Sequence, residues 1–198
     1  MPLFVALWPP GRVRDHLRRA VREARPTAPD LRWSPPQGWH LTLVFLGDPG
    51  DRTPRVAEAL ERALEGRPPL DLTLDGWGVF PRPDEPDAGR GASVVWAGVR
   101  GDGLTGLATD LADSARRAGV PVSSRPFVPH VTLARSRRPH DVTRTLRALG
   151  PAIPTGWRAD RVDLVESRPS GPDRYRTVRS WGLPWGSESQ RAPERGTS

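Results

Sequence analysis

Trp39-His40-Leu41-Thr42-Leu43-Val44-Phe45-Leu46-Gly47 is an apolar run that carries a histidine and a threonine two residues apart. Phe127-Val128-Pro129-His130-Val131-Thr132-Leu133-Ala134 writes the same phrase again much later in the chain. Only four His occur in the whole sequence. Chance would place Thr at +2 and Leu at +3 after two of them on the order of 2 times in 10,000, so the repeat is treated as a motif. Both copies alternate apolar residues and read as strands. In a strand, side chains at i and i+2 share a face. His40 therefore points with Thr42, and His130 with Thr132. Two imidazoles, each beside a hydroxyl, suggest one cleft built by two related halves.

The flanking sequence supports a duplication. Leu3 to Trp8 reads as a strand stopped by Pro9-Pro10, and Val13 to Ala24 has helical spacing through Val13, Leu17 and Val21. Arg52 to Leu64 reads as a helix after the turn Gly47-Asp48-Pro49-Gly50. Leu70, Leu72 and Leu74 alternate with polar residues in a strand that runs on toward Phe80. Beyond a loop at Pro81 to Gly91, Ser93 to Val99 reads as a strand and Leu104 to Ala118 as a helix. The second histidine strand is expected over Phe127 to Ala134 and a short helix over Asp141 to Leu149. Two closing strands are expected at Arg161 to Ser167 and Tyr175 to Trp181. Strand-helix-strand-helix-strand thus occurs on both sides of the middle loop, an internal duplication of structure. Residues 1–185 are expected to form a single two-lobed domain. Residues 186–198 have almost no apolar content and are expected to be a disordered tail.

Composition narrows the function. The chain has 198 residues and no Cys, which removes disulfides, thiol nucleophiles and Cys-based zinc sites. All 30 basic residues are Arg, and the net charge of +7 favours a polyanionic partner such as RNA. No apolar run reaches membrane length and no secretory segment is evident, so a cytoplasmic protein without membrane contact is expected.

The residues at both motifs, Trp39 to Gly47 and Arg125-Pro126-Phe127-Val128-Pro129-His130-Val131-Thr132-Leu133-Ala134-Arg135, resemble the paired signatures of the two-histidine phosphoesterases. The branch they resemble is the bacterial and archaeal RNA 2′,3′-cyclic phosphodiesterase family, historically called 2′-5′ RNA ligases. Phe80-Pro81 and the strand Val94-Val95-Trp96-Ala97-Gly98-Val99 share in the resemblance, which runs from about Leu3 to Trp181. It implies an α+β, bilobal fold. Two antiparallel-rich sheets with flanking helices would be related by pseudo-twofold symmetry around a central cleft. It also implies an RNA or oligonucleotide substrate with a 2′,3′-cyclic phosphate end, opened to a 2′-phosphomonoester. The two histidines supply the chemistry without metal or other cofactor, no metal-ligand spacing is present, and a monomer is expected.

The residue chemistry fits that implication. A neutral imidazole takes a proton and an imidazolium gives one near neutral pH. Ring opening of a cyclic phosphodiester needs both acts, and the hydroxyls of Thr42 and Thr132 can donate to phosphate oxygens. By resemblance His40 is the proton donor to the leaving oxygen and His130 the proton acceptor from water. The position five after each histidine holds Phe45 and Arg135. Strict alternation puts an odd offset on the opposite face, which makes Phe45 a core residue. The resemblance instead implies that Phe45 lines a base pocket and that Arg135 reaches the phosphate.

Competing readings remain at this level. One is a protein that binds RNA ends without turnover; another is a 2′-5′ RNA ligase or a phosphodiesterase for another cyclic nucleotide. Trp33 and Trp39 are candidates for stacking on a base. Arg135-Ser136-Arg137-Arg138 is either a phosphate contact or a solvated cluster. Gly101-Asp102-Gly103-Leu104-Thr105-Gly106 matches a dinucleotide-loop pattern but lacks the acidic partner downstream, and a turn with Asp102 capping the next helix is the preferred reading. His140 is expected to start a helix.

Overall fold

The computed structural model describes residues 1–86, 89, 91–169 and 174–184. The expected tail, 186–198, lies outside the described residues.

The all-buried strand β1 (Leu3–Leu7) opens the chain and is stopped by Pro9-Pro10. Helix α1 (Gly11–Ala24) follows and buries Val13, Leu17, Val21 and Ala24, one stripe at helical spacing. Next come β2 (Arg32–Trp33), β3 (Leu41–Gly47), α2 (Thr53–Leu64), β4 (Leu70–Phe80) and β5 (Ala92–Arg100). The second half continues with α3 (Leu104–Arg117), β6 (His130–His140), α4 (Thr143–Ala148), β7 (Gly156–Ala159), β8 (Arg161–Ser167) and β9 (Tyr175–Gly182).

The strands line up as β7-β4-β5-β6-β3-β1-β8-β9, and every pairing is antiparallel. Together with the short β2, which pairs β6, they form one curled nine-stranded sheet whose main order falls into two four-stranded sub-sheets, with the two histidine strands, β6 and β3, innermost. One rung, Leu41 opposite Val131, joins the sheets into a continuous surface. This is the expected α+β arrangement, with two antiparallel sheets related by a pseudo-twofold axis between β3 and β6. Helices pack in two pairs. Thr27, just past α1, bonds Thr145 of α4 at 3.1 Å, and Arg67, just past α2, bonds Asp110 of α3.

A single large core lies under the joined sheets and includes Leu7, Leu17, Leu41, Leu60, Leu111, Leu133 and Leu164. Each such leucine, fully withdrawn from water, contributes roughly 1.5–3 kcal/mol to the folded state before entropy is counted. A second cluster of Phe4, Ala6 and Val165, with Trp8 and Tyr175 against it, lies apart from that core. Phe4 and Tyr175 of this cluster pack directly on the His40 ring.

Several expectations are corrected. β6 does not end at Ala134 but runs through Pro139 to His140, paired to β5 as far as Ala92. His140 therefore closes a strand; Asp141 Oδ1 accepts the Thr143 N–H at 2.9 Å where α4 begins. Asp102 does not cap α3. Gly103 holds the N-cap with φ of 77°, a left-handed conformation that glycine adopts without strain. β2 and β7 were not expected at all, because strands of two and four residues are too short to show a period.

Candidate active site

β3 and β6 bring the two motifs to the centre of the molecule. Leu41 faces Val131 across the joining rung, so each histidine approaches the other strand's threonine. His40, Thr42, Phe45, His130, Thr132 and Arg135 all line one cavity of about 270 Å³, together with Ser34, Gly38 and Tyr175. The histidine, the threonine and the fifth residue on from each histidine thus meet in one place.

The position of Phe45 and Arg135 has a local cause. Pairing of β1 with β3 runs Phe4–Phe45, Val5–Val44 and then Ala6–Thr42, so Leu43 is skipped. Pairing of β5 with β6 runs Val95–Ala134 and then Trp96–Thr132, so Leu133 is skipped. Each histidine strand carries a β-bulge three residues after its histidine. A bulge adds one residue and re-aims the side chains beyond it. Leu43 and Val44 are both buried, as are Leu133 and Ala134. The next residue then returns to the histidine face. Phe45 is 59% exposed, so the core position given by strict alternation is overturned.

The two histidines are held in the same way. His40 Nδ1 lies 2.7 Å from the Gly38 carbonyl oxygen, and His130 Nδ1 lies 2.6 Å from that of Val128. A carbonyl only accepts, so each Nδ1 carries the hydrogen and donates it. That fixes the tautomer and leaves each Nε2 as the free nitrogen. Aromatic rings wall both imidazoles. Phe4 stacks on His40 with centroids 4.7 Å apart, and Trp8 and Tyr175 stand at 5.3 and 4.9 Å. Phe80 meets His130 edge-on at 5.0 Å, with Trp96 at 5.8 Å.

These surroundings set the protonation state. Burial lowers His40 to about 4; the Gly38 hydrogen bond opposes the shift, while Arg135, His130 and Arg174 add to it. Burial likewise lowers His130, opposed by Val128 and assisted by Arg135. Both imidazoles therefore favour the neutral form at pH 7. Arg135 Nη2 donates to Thr132 Oγ1 at 3.3 Å, which keeps its guanidinium over the cavity. A cation beside two hydroxyls and two imidazoles has the charge and the donors that a tetrahedral anion requires.

Some residues fall elsewhere. Trp39 is 1% exposed in the core and offers no face to a base. Trp33 pairs with Ala134 on β2 and packs against the core. Tyr175 was not singled out from the sequence. As the only tyrosine of the chain it carried a weak compositional signal, but nothing local tied it to His40.

Residues 9–170 match the family model described as the 2′-5′ RNA ligase superfamily. The chain belongs to that superfamily. A protein of Escherichia coli named RNA 2′,3′-cyclic phosphodiesterase is 30% identical over 91% of this chain and 96% of its own length. One of the same name from Geobacillus stearothermophilus is 27% identical over 91% of this chain, which spans only 56% of that relative. The crystal structure of Escherichia coli LigT complexed with 3′-AMP superposes with a TM-score of 0.73 at 27% identity. That superposition covers 92% of this chain and 99% of LigT. No helix among the described residues is long and apolar enough to cross a membrane.

Proposed function

We propose that the protein hydrolyses 2′,3′-cyclic phosphate ends of RNA to 2′-phosphomonoesters by paired histidine acid–base catalysis. The observation that carries this reading is the shared cavity, with two Nε2 atoms left free by identical backbone anchors. The superfamily membership and the names of the relatives supply the substrate class.

The cyclic phosphate enters beside Arg135, and its non-bridging oxygens accept from the guanidinium and from the Thr42 and Thr132 hydroxyls. The bound anion favours the imidazolium, raising both histidines from their depressed values. One proton is then taken up and held on His40. Neutral His130 accepts a proton at Nε2 from the attacking water. As the new P–O bond forms, the bond to the ribose 3′ oxygen breaks, and His40 delivers its Nε2 proton to that oxygen. Charge gathering on the non-bridging oxygens is met by donors already in place. Phe45 offers a face to the terminal base. In this reading 1–185 is one monomeric catalytic domain, and 186–198 takes no part in turnover.

The test is turnover of adenosine 2′,3′-cyclic phosphate in the presence of EDTA, with the product identified by NMR. A 2′-phosphate supports the reading. Binding without turnover would make the protein an RNA-end receptor, and loss of activity in EDTA would replace the two-histidine mechanism with a metal-activated water.

A further inference from the structure

The histidine cavity is small for what it is expected to hold. At about 270 Å³ it lies just under the roughly 300–1,000 Å³ of sites that enclose a whole organic ligand. It has room for the phosphate and part of the ribose. A groove of about 690 Å³ adjoins it, and Phe45 lines both. Among the described residues Phe45 is one of only four large hydrophobic side chains left exposed, and it stands where the two spaces meet.

We infer that this groove, with Arg52 and Arg125 on its walls, is the subsite for the nucleotides preceding the terminal one of a single-stranded RNA end. The inference rests on the function proposed above. Phe45, proposed above to hold the terminal base, marks where the strand would pass into the groove; stacking on flat rings is the usual means of holding single-stranded RNA. Ala112, Val122 and Phe127 continue an apolar wall behind it. The cations of the groove are available. Among the described residues neither Arg52 nor Arg125 has a side-chain hydrogen bond or ion pair, although both line the groove. Arg116 differs, being tied to Asp113 at 2.6 Å and to the Ser123 carbonyl at 2.9 Å. The one carboxylate in the wall, Asp48, is paired with the N-terminal ammonium at 2.5 Å. Two unpaired guanidiniums beside an aromatic platform suit a phosphate–base–phosphate track.

A second groove of about 720 Å³ opens beside His130 and fits this role less well. Its Arg82 is already bonded to Glu85 through both backbone and side chain. Its other arginine is Arg125, on the ridge between the two grooves.

The experiment compares kcat/KM for adenosine 2′,3′-cyclic phosphate with that for a four-nucleotide RNA ending in the same cyclic phosphate. The wild type should prefer the oligonucleotide by at least ~10-fold. Two phosphate contacts on a single strand should add about 1.4 to the salt slope of log kcat/KM for the oligonucleotide alone. Arg52→Ala should remove most of the preference while leaving mononucleotide turnover unchanged, and Arg52→Ala/Arg125→Ala should abolish the extra salt dependence. Equal kcat/KM for the two substrates in the wild type would overturn the inference, as would variants that slow both alike. If neither substrate is turned over, the proposed function fails. Anisotropy binding of a fluorescent 3′-phosphorylated RNA, weakened or not by Arg52→Ala, then decides the groove on its own.

Discussion

Arg135 reaches back along its own strand to Thr132, placing a guanidinium nitrogen 3.3 Å from the threonine hydroxyl oxygen. The bulge at Leu133 makes the contact possible, because it returns Arg135 to the face it would otherwise leave. The same cation depresses His40 and His130. One residue is thus asked both to attract the anion and to keep the imidazoles neutral until it arrives.

Replacing Arg135 by methionine should therefore change two things. kcat/KM should fall at least ~10-fold through loss of a charge-assisted hydrogen bond. Both histidine pKa values should rise, since a nearby cation disfavours imidazolium, and the pH–kcat/KM curve should move to higher pH. A drop in rate with an unmoved curve would assign Arg135 to binding alone.

His40→Ala and His130→Ala should each cut turnover at least ~100-fold by removing a proton-transfer partner. Neither imidazole belongs to the large apolar core, so melting temperatures should stay near the wild-type value. Near-wild-type turnover by either single variant would end the paired mechanism.

The pH dependence should be bell-shaped with an unusual position. One histidine must be neutral and the other protonated in the active form. Both are shifted below 6.5, His40 to about 4. The acid limb of kcat/KM, which reports the free enzyme, should fall as the second imidazole protonates. The alkaline limb should fall as the first becomes neutral, so the optimum lies below pH 6.5. These are properties of the coupled pair rather than of either ring alone. The profile of kcat, which reports the complex, should lie at higher pH because bound phosphate raises both. A kcat/KM optimum above pH 7 would contradict the burial of these rings.

Gly78 lies beneath the Trp96 ring, where an added Cβ would come within 2.1 Å of it. Trp96 in turn packs against Phe80 and His130. Gly78→Ala should therefore destabilise the fold by about 1–3 kcal/mol, the cost of overpacking. It should also lower turnover by displacing the His130 wall. Thermal denaturation, with activity measured well below the melting point, would separate the two effects.

Much of this architecture was legible in the sequence, and the gaps have physical reasons. The helices and most of the longer strands show themselves because their apolar residues recur at a regular spacing or, in the all-buried β1, run without a break. β2 and β7 escape notice because such short segments become strands through their partners, Arg32 with Arg135 and Leu72 with Trp157. The extension of β6 through Pro139 is polar and looks like a loop until β5 is beside it. At the site, His40, Thr42, His130 and Thr132 stand out because their spacing repeats. The direction of Phe45 could not be had from alternation, since a bulge shifts the period without leaving a mark in composition. Tyr175, Phe4 and Trp8 meet His40 only after distant strands pair, and local pattern carries no record of that.

The sheet order has a consequence for how the chain matures. Apart from the two-residue β2, the strands on the β6 side come from one continuous middle stretch, β4 to β7. The sheet containing β3 combines β1 from the beginning of the chain with β8 and β9 from its end. During synthesis the His130 half can close upon itself first. The His40 half waits with the outer edge of β1 unpaired until β8 and β9 have been made, and Tyr175 is added to the His40 ring last of all. A ribosome-bound nascent chain that stops short of β9 should therefore hold one finished sheet and one open edge, with no working cleft between them.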